Sequence, residues 1–212
     1  ALMFACQHHH EAAAVALLEL GADPNQLNTK SPSESAVQIC VKEDAPNVLQ
    51  AVLAAGGSHT KVRGSTGSEP LHAAASGCKA ECVHVLLRHG AEVDVTESDS
   101  KTALLLVVEA RLSTGMHQAE AAAVVTILIQ CGANVNKADA SGRTPLKLAL
   151  DGGLHTIAEL LRTAGATEPA AAQPQAKAAQ PATSGFTVSG AGSSEVNGFY
   201  ERDGEYGGAP LY

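Results

Sequence analysis

The sequence predicts an all-α solenoid, a linear stack of about five helix–turn–helix units. Three observations carry this expectation. Two short phrases recur along residues 1–166, one opening each unit and one closing it. The closing glycines Gly21, Gly56, Gly90, Gly132 and Gly165 stand 35, 34, 42 and 33 residues apart. Apolar residues make up 45% of the chain, yet aromatics only 3% and tryptophan none, so alanine and leucine carry the core. Small apolar side chains suit thin, closely stacked helices. A helix pair of this size cannot bury its own apolar face and needs a copy of itself on each side.

The fullest unit runs over residues 69–91. Pro70 stands where a first helical position tolerates proline, since the N–H missing there has no partner in any case. Leu71, Ala74 and Ala75 give a short inner helix with one small apolar face, and Gly77 breaks it. The outer helix follows, with Cys78 at its start and Val83, Leu86 and Leu87 on its buried side. Gly90 closes it in the left-handed conformation that glycine adopts most easily. Other openings are Thr102-Ala103-Leu104-Leu105, Thr144-Pro145-Leu146-Lys147 and a worn Ser35-Ala36-Val37-Gln38.

This opening phrase, the Gly-Ala close and the spacing near 33 resemble the ankyrin repeat over residues 1–166, in units of about 1–22, 23–57, 58–91, 92–133 and 134–166. The resemblance implies a concave face built from inner helices and projecting loop tips. By register it holds Phe4, Gln7, Ile39, Lys42, Glu43, Ser76, Leu106, Glu109 and Asp151, with tips near Arg63, Lys101 and Arg143. It also implies that the Thr and His of an opening phrase brace the turn between them. Glu69 stands where His72 needs the threonine, and Leu105 and Lys147 follow Thr102 and Thr144, so no unit keeps both partners and a weaker stack is expected.

Taken in order, the first unit lacks the start of its opening phrase, so Ala1 is expected to be an edge rather than a natural terminus. Three adjacent histidines, His8, His9 and His10, fill its turn. They suggest a metal site or a purification tag, but neighbouring residues on a helix point in different directions and share one metal poorly. A solvent-facing turn is the preferred reading. The second unit is the most degraded, with a long loop from Asp23 to Glu34. Ser35 is placed to cap its inner helix with Gln38 three residues on, and Pro46 to open its outer one. The fourth unit has nine extra residues: Thr102 to Gly132 spans 30 where Glu69 to Gly90 spans 21. Arg111 to Met116 reads as a longer helix end and loop, and Ala119 to Gln130 as the outer helix. Insertions in solenoids often serve binding, which makes Arg111, Leu112, Met116 and His117 candidate contacts. In the last unit Asp139-Ala140-Ser141-Gly142 is a tight-turn signature.

Beyond the repeats, residues 167–185 are rich in Ala, Pro and Gln and read as a disordered linker. Residues 186–212 carry Phe186, Val188, Asn197-Gly198 and Tyr200 in a strand-and-turn pattern. They loosely resemble the start of a small β module of algal and protist multidomain proteins.

The formal charge is −8, which argues against a phosphate-backbone ligand, so protein partners are expected and nucleic acid is not. No run of about 18 apolar residues suggests membrane insertion. Gly190-Ala191-Gly192 leads into no helix pattern, and no Gly-Lys-Ser/Thr loop is present, so no cofactor is expected. Cys78 and Cys82 beside His84 and His89 could be imagined around zinc, but they fall at core register positions and read as buried thiols. No metal is expected. Five cysteines, scattered and odd in number, point to a reducing, intracellular compartment, cytoplasmic by default with an organelle left open. The expectation is a non-catalytic protein–protein interaction scaffold. The alternative is a structural or linker subunit of a large assembly, tethered by its tail.

Overall fold

A computed structural model describes residues 1–29, 33–60, 69–114 and 118–168. They lie within one compact unit, Ala1–Pro169; a second unit, Ala170–Tyr212, falls outside the described residues, as does the expected β-like tail. The described residues form ten α-helices in five pairs and no strands. The inner helices are α1 (Leu2–Gln7), α3 (Ala36–Lys42), α5 (Pro70–Ser76), α7 (Ala103–Thr114) and α9 (Pro145–Asp151). The outer helices are α2 (Glu11–Glu19), α4 (Pro46–Ala54), α6 (Ala80–Arg88), α8 (Gln118–Gln130) and α10 (His155–Thr163). Each inner helix packs on the next inner helix and each outer on the next outer, while the two of a pair pack on each other. This is the expected solenoid.

Local chemistry fixes the ends of these helices. Pro46, Pro70 and Pro145 occupy first-turn positions. Ser35 accepts from the Gln38 N–H while the Gln38 side chain accepts from the Ser35 N–H, a complete capping box. The five closing glycines take φ between 86° and 91°. Their next N–H groups then turn back onto carbonyls of the outer helix, as in Ala91 N–H to Leu86 O at 3.1 Å.

One continuous apolar core runs through the stack, from Cys6 and Ala14 through Leu49, Leu71, Leu86, Leu104 and Leu128 to Leu146, Ile157 and Leu161. Burying each leucine side chain stabilises by about 1.5–3 kcal/mol. The loop tips add isolated antiparallel bridges, Leu27 with Ser35 and Thr96 with Thr102.

Two expectations are corrected. Cys78 does not begin the outer helix; it takes the left-handed position of the inner–outer turn at φ 52°, as His9, Asp44 and Gly153 do in their own turns. Ile39 does not line a concave surface, for it is buried in the inter-repeat core. The longer inner-helix end expected in the fourth unit is present. The inner helix α7 has 12 residues where α5 has 7, and α8 has 13 where α6 has 9, while residues 115–117 between them lie outside the described residues. The Thr–His bracing pair is absent among the described residues, as the missing partners implied: buried His72 Nδ1 has no hydrogen-bond partner, and the threonines only cap their helices. The Thr102 and Thr144 hydroxyls accept from the Leu105 and Lys147 N–H groups, at 3.4 and 3.2 Å. Buried His72 reaches forward instead, its Nε2 donating to Val95 O at 2.9 Å in the next loop.

Candidate functional site

The inner-helix face and the loop tips above it form the candidate site. Its centre is Glu109, on the middle of α7. Lys101, in the tip that leads into α7, places Nζ 2.8 Å from Glu109 Oε2. Arg143, in the tip that leads into α9, places Nη2 3.0 Å from Glu109 Oε1. One carboxylate therefore ties the tips of two consecutive repeats. Arg143 is held in turn by Asp139, whose Oδ2 lies 2.7 Å from Nη2 and 2.8 Å from Nε.

Asp139 is the anchor of this arrangement. Its Oδ1 also accepts from the Ser141 and Arg143 backbone N–H groups, both at 2.9 Å. Burial alone raises the pKa of this carboxyl, but the hydrogen bonds from Arg143 and Ser141 outweigh it and hold Asp139 below the usual aspartate value. The hydrogen bond to Glu109 raises the Lys101 ammonium pKa, and the hydrogen bond to Asp139 raises that of Arg143. Two cations and two carboxylates thus stand in one row at fixed spacing. The Lys101–Glu109 and Arg143–Glu109 pairs are partly exposed and worth about 0–1 kcal/mol each, so their main effect is to orient the tips.

Of the residues singled out from the sequence, the structure brings Lys101, Glu109 and Arg143 together. Gln7, Lys42, Ser76 and Asp151 share one register position, the last residue of their inner helices, and all four are exposed. Lys42 pairs with Glu34 at 3.2 Å and Asp151 with Lys147 at 2.8 Å. Glu43 and Leu106 are half-buried. Phe4 is 62% exposed, at the first-repeat end.

Arg111 and Leu112 stand apart from the row, on the extra turns of α7, and the structure gives those turns internal neighbours. Leu112 lies over Gly152, where an added Cβ would come within 2.0 Å of its Cδ2. Gln118 at the start of α8 donates to the Thr156 hydroxyl at 2.6 Å. Arg63, Met116 and His117 lie outside the described residues.

The sequence reading missed Lys79. Its ammonium donates to Val41 O at 2.7 Å and also to Lys42 O, closing the open C-terminal carbonyls of α3 from the following repeat. Nothing in the local pattern marks this, because the acceptor lies 38 residues away.

Four of the five thiols are buried, and Cys131 is exposed. Cys6, Cys40 and Cys82 have no exposed surface and Cys78 very little. Burial pushes the Cys82 thiol up to about 12, helped by its hydrogen bond to Asp44 Oδ1 at 3.4 Å. A hydrogen bond with Cys6, together with burial, raises the Cys40 thiol. Among the described residues no three His, Cys, Asp or Glu side chains are grouped to hold a metal ion.

The paired helices, the left-handed glycine closes and the inter-repeat core agree with what the family comparison finds. Residues 37–114 match the model for ankyrin repeats, three copies. Residues 37–114 therefore carry ankyrin repeats. The chain is 30% identical over 154 residues to the B-cell lymphoma 3 protein homolog of Mus musculus, covering 71% of this chain and 32% of that protein. It is 29% identical over 163 residues to glycerophosphocholine phosphodiesterase gde1 of Schizosaccharomyces pombe, covering 76% of this chain and 14% of that protein. The chain therefore spans about a third of one relative and about a seventh of the other. Ankyrin repeats form a protein–protein interaction module, a non-catalytic fold. No helix among the described residues is long and apolar enough to cross a membrane.

Proposed function

We propose that this ankyrin stack is a non-catalytic scaffold or adaptor that captures a protein partner on its inner-helix face. The observation that carries the reading is the Lys101–Glu109–Arg143–Asp139 row. It ties the Lys101 and Arg143 cations of two neighbouring tips to Glu109 on α7, with buried Asp139 behind Arg143, at 2.7 to 3.0 Å within each pair. Electrostatic patterns of this kind set specificity and encounter rate more than raw affinity. The exposed register positions Gln7, Lys42, Ser76 and Asp151 extend the surface along the stack.

The partner in this reading is a protein carrying charged side chains of complementary order, and not a nucleic acid. The formal charge of −8 supports that exclusion. Unpaired thiols at all five cysteines support a reducing intracellular compartment, with the cytoplasm as the working assumption. The phosphodiesterase named among the relatives is a protein of which this chain spans 14%.

The test is affinity capture from the native source with three baits: the chain as it stands, Arg143→Glu, and Glu159→Arg on the exposed outer side of α10. The partner is expected to be lost with Arg143→Glu and kept with Glu159→Arg, at unchanged helix content. Retention with Arg143→Glu and loss with Glu159→Arg places binding on the outer helices instead.

A further inference from the structure

The turn of the first repeat carries a motif that the interaction surface does not use. Adjacent side chains on a helix diverge, and three consecutive histidines on one would share a metal poorly. The backbone here is not helical at the decisive residue. His9 takes the left-handed conformation, φ 57°, between the end of α1 at Gln7 and the start of α2 at Glu11. That reversal returns His8 and His10 to one side of the turn. Their ring centroids lie 6.1 Å apart with the planes inclined by only 33°. Phe4, one turn back on α1, packs beside both, 4.3 Å from the His8 ring and 6.5 Å from that of His10. All three histidines are exposed. Among the described residues neither the His8 nor the His10 ring takes part in a hydrogen bond to protein, so no protein group competes for their nitrogens.

We propose that His8 and His10 form a two-histidine site for a borderline divalent transition-metal ion, of the nickel, copper or zinc class. Imidazole nitrogen suits these ions. A metal–nitrogen bond of about 2.0–2.1 Å sets two imidazoles on one ion with centroids roughly 5–6 Å apart, close to the separation already present. Phe4 packs beside both rings and limits their rotation, so that less rotamer freedom is lost on binding. The site is open: its remaining positions fall to water or to a side chain of a bound partner. Each neutral imidazole gives one nitrogen lone pair and displaces one metal-bound water; no bond to hydrogen is made or broken.

The test is calorimetric titration of the full chain with Ni²⁺ alone, and then with Zn²⁺. Three variants are compared: His8→Ala, His10→Ala and His9→Asn, asparagine being tolerant of the left-handed turn. One equivalent of metal is expected to bind. Losing a ligand should cost at least the roughly 10–100-fold that losing an outer-shell partner costs, so His8→Ala and His10→Ala should each weaken binding about tenfold or more, while His9→Asn changes it less than about threefold. Circular dichroism identical to the parent shows that the variants keep the fold. The proposal is overturned if the chain binds no ion. It is equally overturned if the His8→Ala/His10→Ala double variant still takes one equivalent at parental affinity, or if His9→Asn loses as much as the other two.

Discussion

Gly152 shows at the residue scale how the insertion is fitted into the stack. Its backbone is ordinary, φ −88°, so an alanine is not strained by conformation. It meets Leu112 instead, with Cδ2 2.0 Å and Cγ 3.1 Å from the new Cβ. Leu112 is 41% exposed and can swing away, at the loss of its packing on the turn. Gly152→Ala is therefore expected to destabilise by about 1 kcal/mol, the low end of overpacking. In a Leu112→Ala background the same change should be nearly neutral. Chemical denaturation of the four proteins of this cycle measures the coupling; purely additive effects would show that Leu112 does not rest on Gly152 in solution. Asp139 offers a second residue-scale outcome. Its carboxyl pKa is lowered in the native state from an ordinary value of 3.8. The stabilisation it supplies is thus whole above that value and is lost as pH falls through the native one. Asp139→Asn is expected to cost about 1–2 kcal/mol at pH 7, from weakened charged hydrogen bonds. The gap between parent and variant should close on acidification below about pH 4. A gap that stays constant to pH 2 would mean that Asp139 carries no titrating interaction.

At the scale of elements, the paired helices were legible in the sequence because their punctuation is local. Proline at the first turn, Ser35 with Gln38 three residues on, and a glycine after each outer helix all act within a few residues, and the structure uses each of them as read. What escaped were effects between repeats. His72 bonds to Val95 and Lys79 to Val41, partners 23 and 38 residues distant, and no window of sequence joins them. The insertion was found by counting, and the longer helix end read from Arg111 onward holds as far as Thr114, where α7 ends. Of the candidate site, charged residue types at the tips were visible, whereas the pairing of Glu109 with tips from two repeats needs the superhelix that brings them together. The Lys79 cap yields its own expectation. Lys79→Met keeps most of the aliphatic stem and removes the ammonium that closes α3, and should cost about 1–2 kcal/mol, as for lost hydrogen bonds to a charged group. Denaturant midpoints compare the two proteins, and an unchanged midpoint shows that water serves those carbonyls equally well.

At the scale of the whole molecule, a stack of repeats unfolds as a sum of unit stabilities and nearest-neighbour interfaces. The worn opening and long loop of residues 23–57 suggest that the second repeat opens first. Its packing argues otherwise. In α3 every residue from Ala36 to Val41 is buried, both ends of the helix are closed by side chains, and neighbours lie on either side. The first repeat is poorer: α2 buries only Ala14, and Val15 and Leu20 are 36% and 84% exposed. Its Ala13 is exposed, although the matching residues Val48, Cys82, Val124 and Ile157 of the later repeats are all buried. Local opening free energies track buried apolar contact and the number of packed neighbours. Native-state hydrogen exchange is therefore expected to release the amides of α2 first, those of α3 and α4 later, and those of α5 and α7 last. Earlier exchange in α3 than in α2 would show that loop length outweighs packing here, and equal protection in all five repeats would mean that the stack opens only as one cooperative unit.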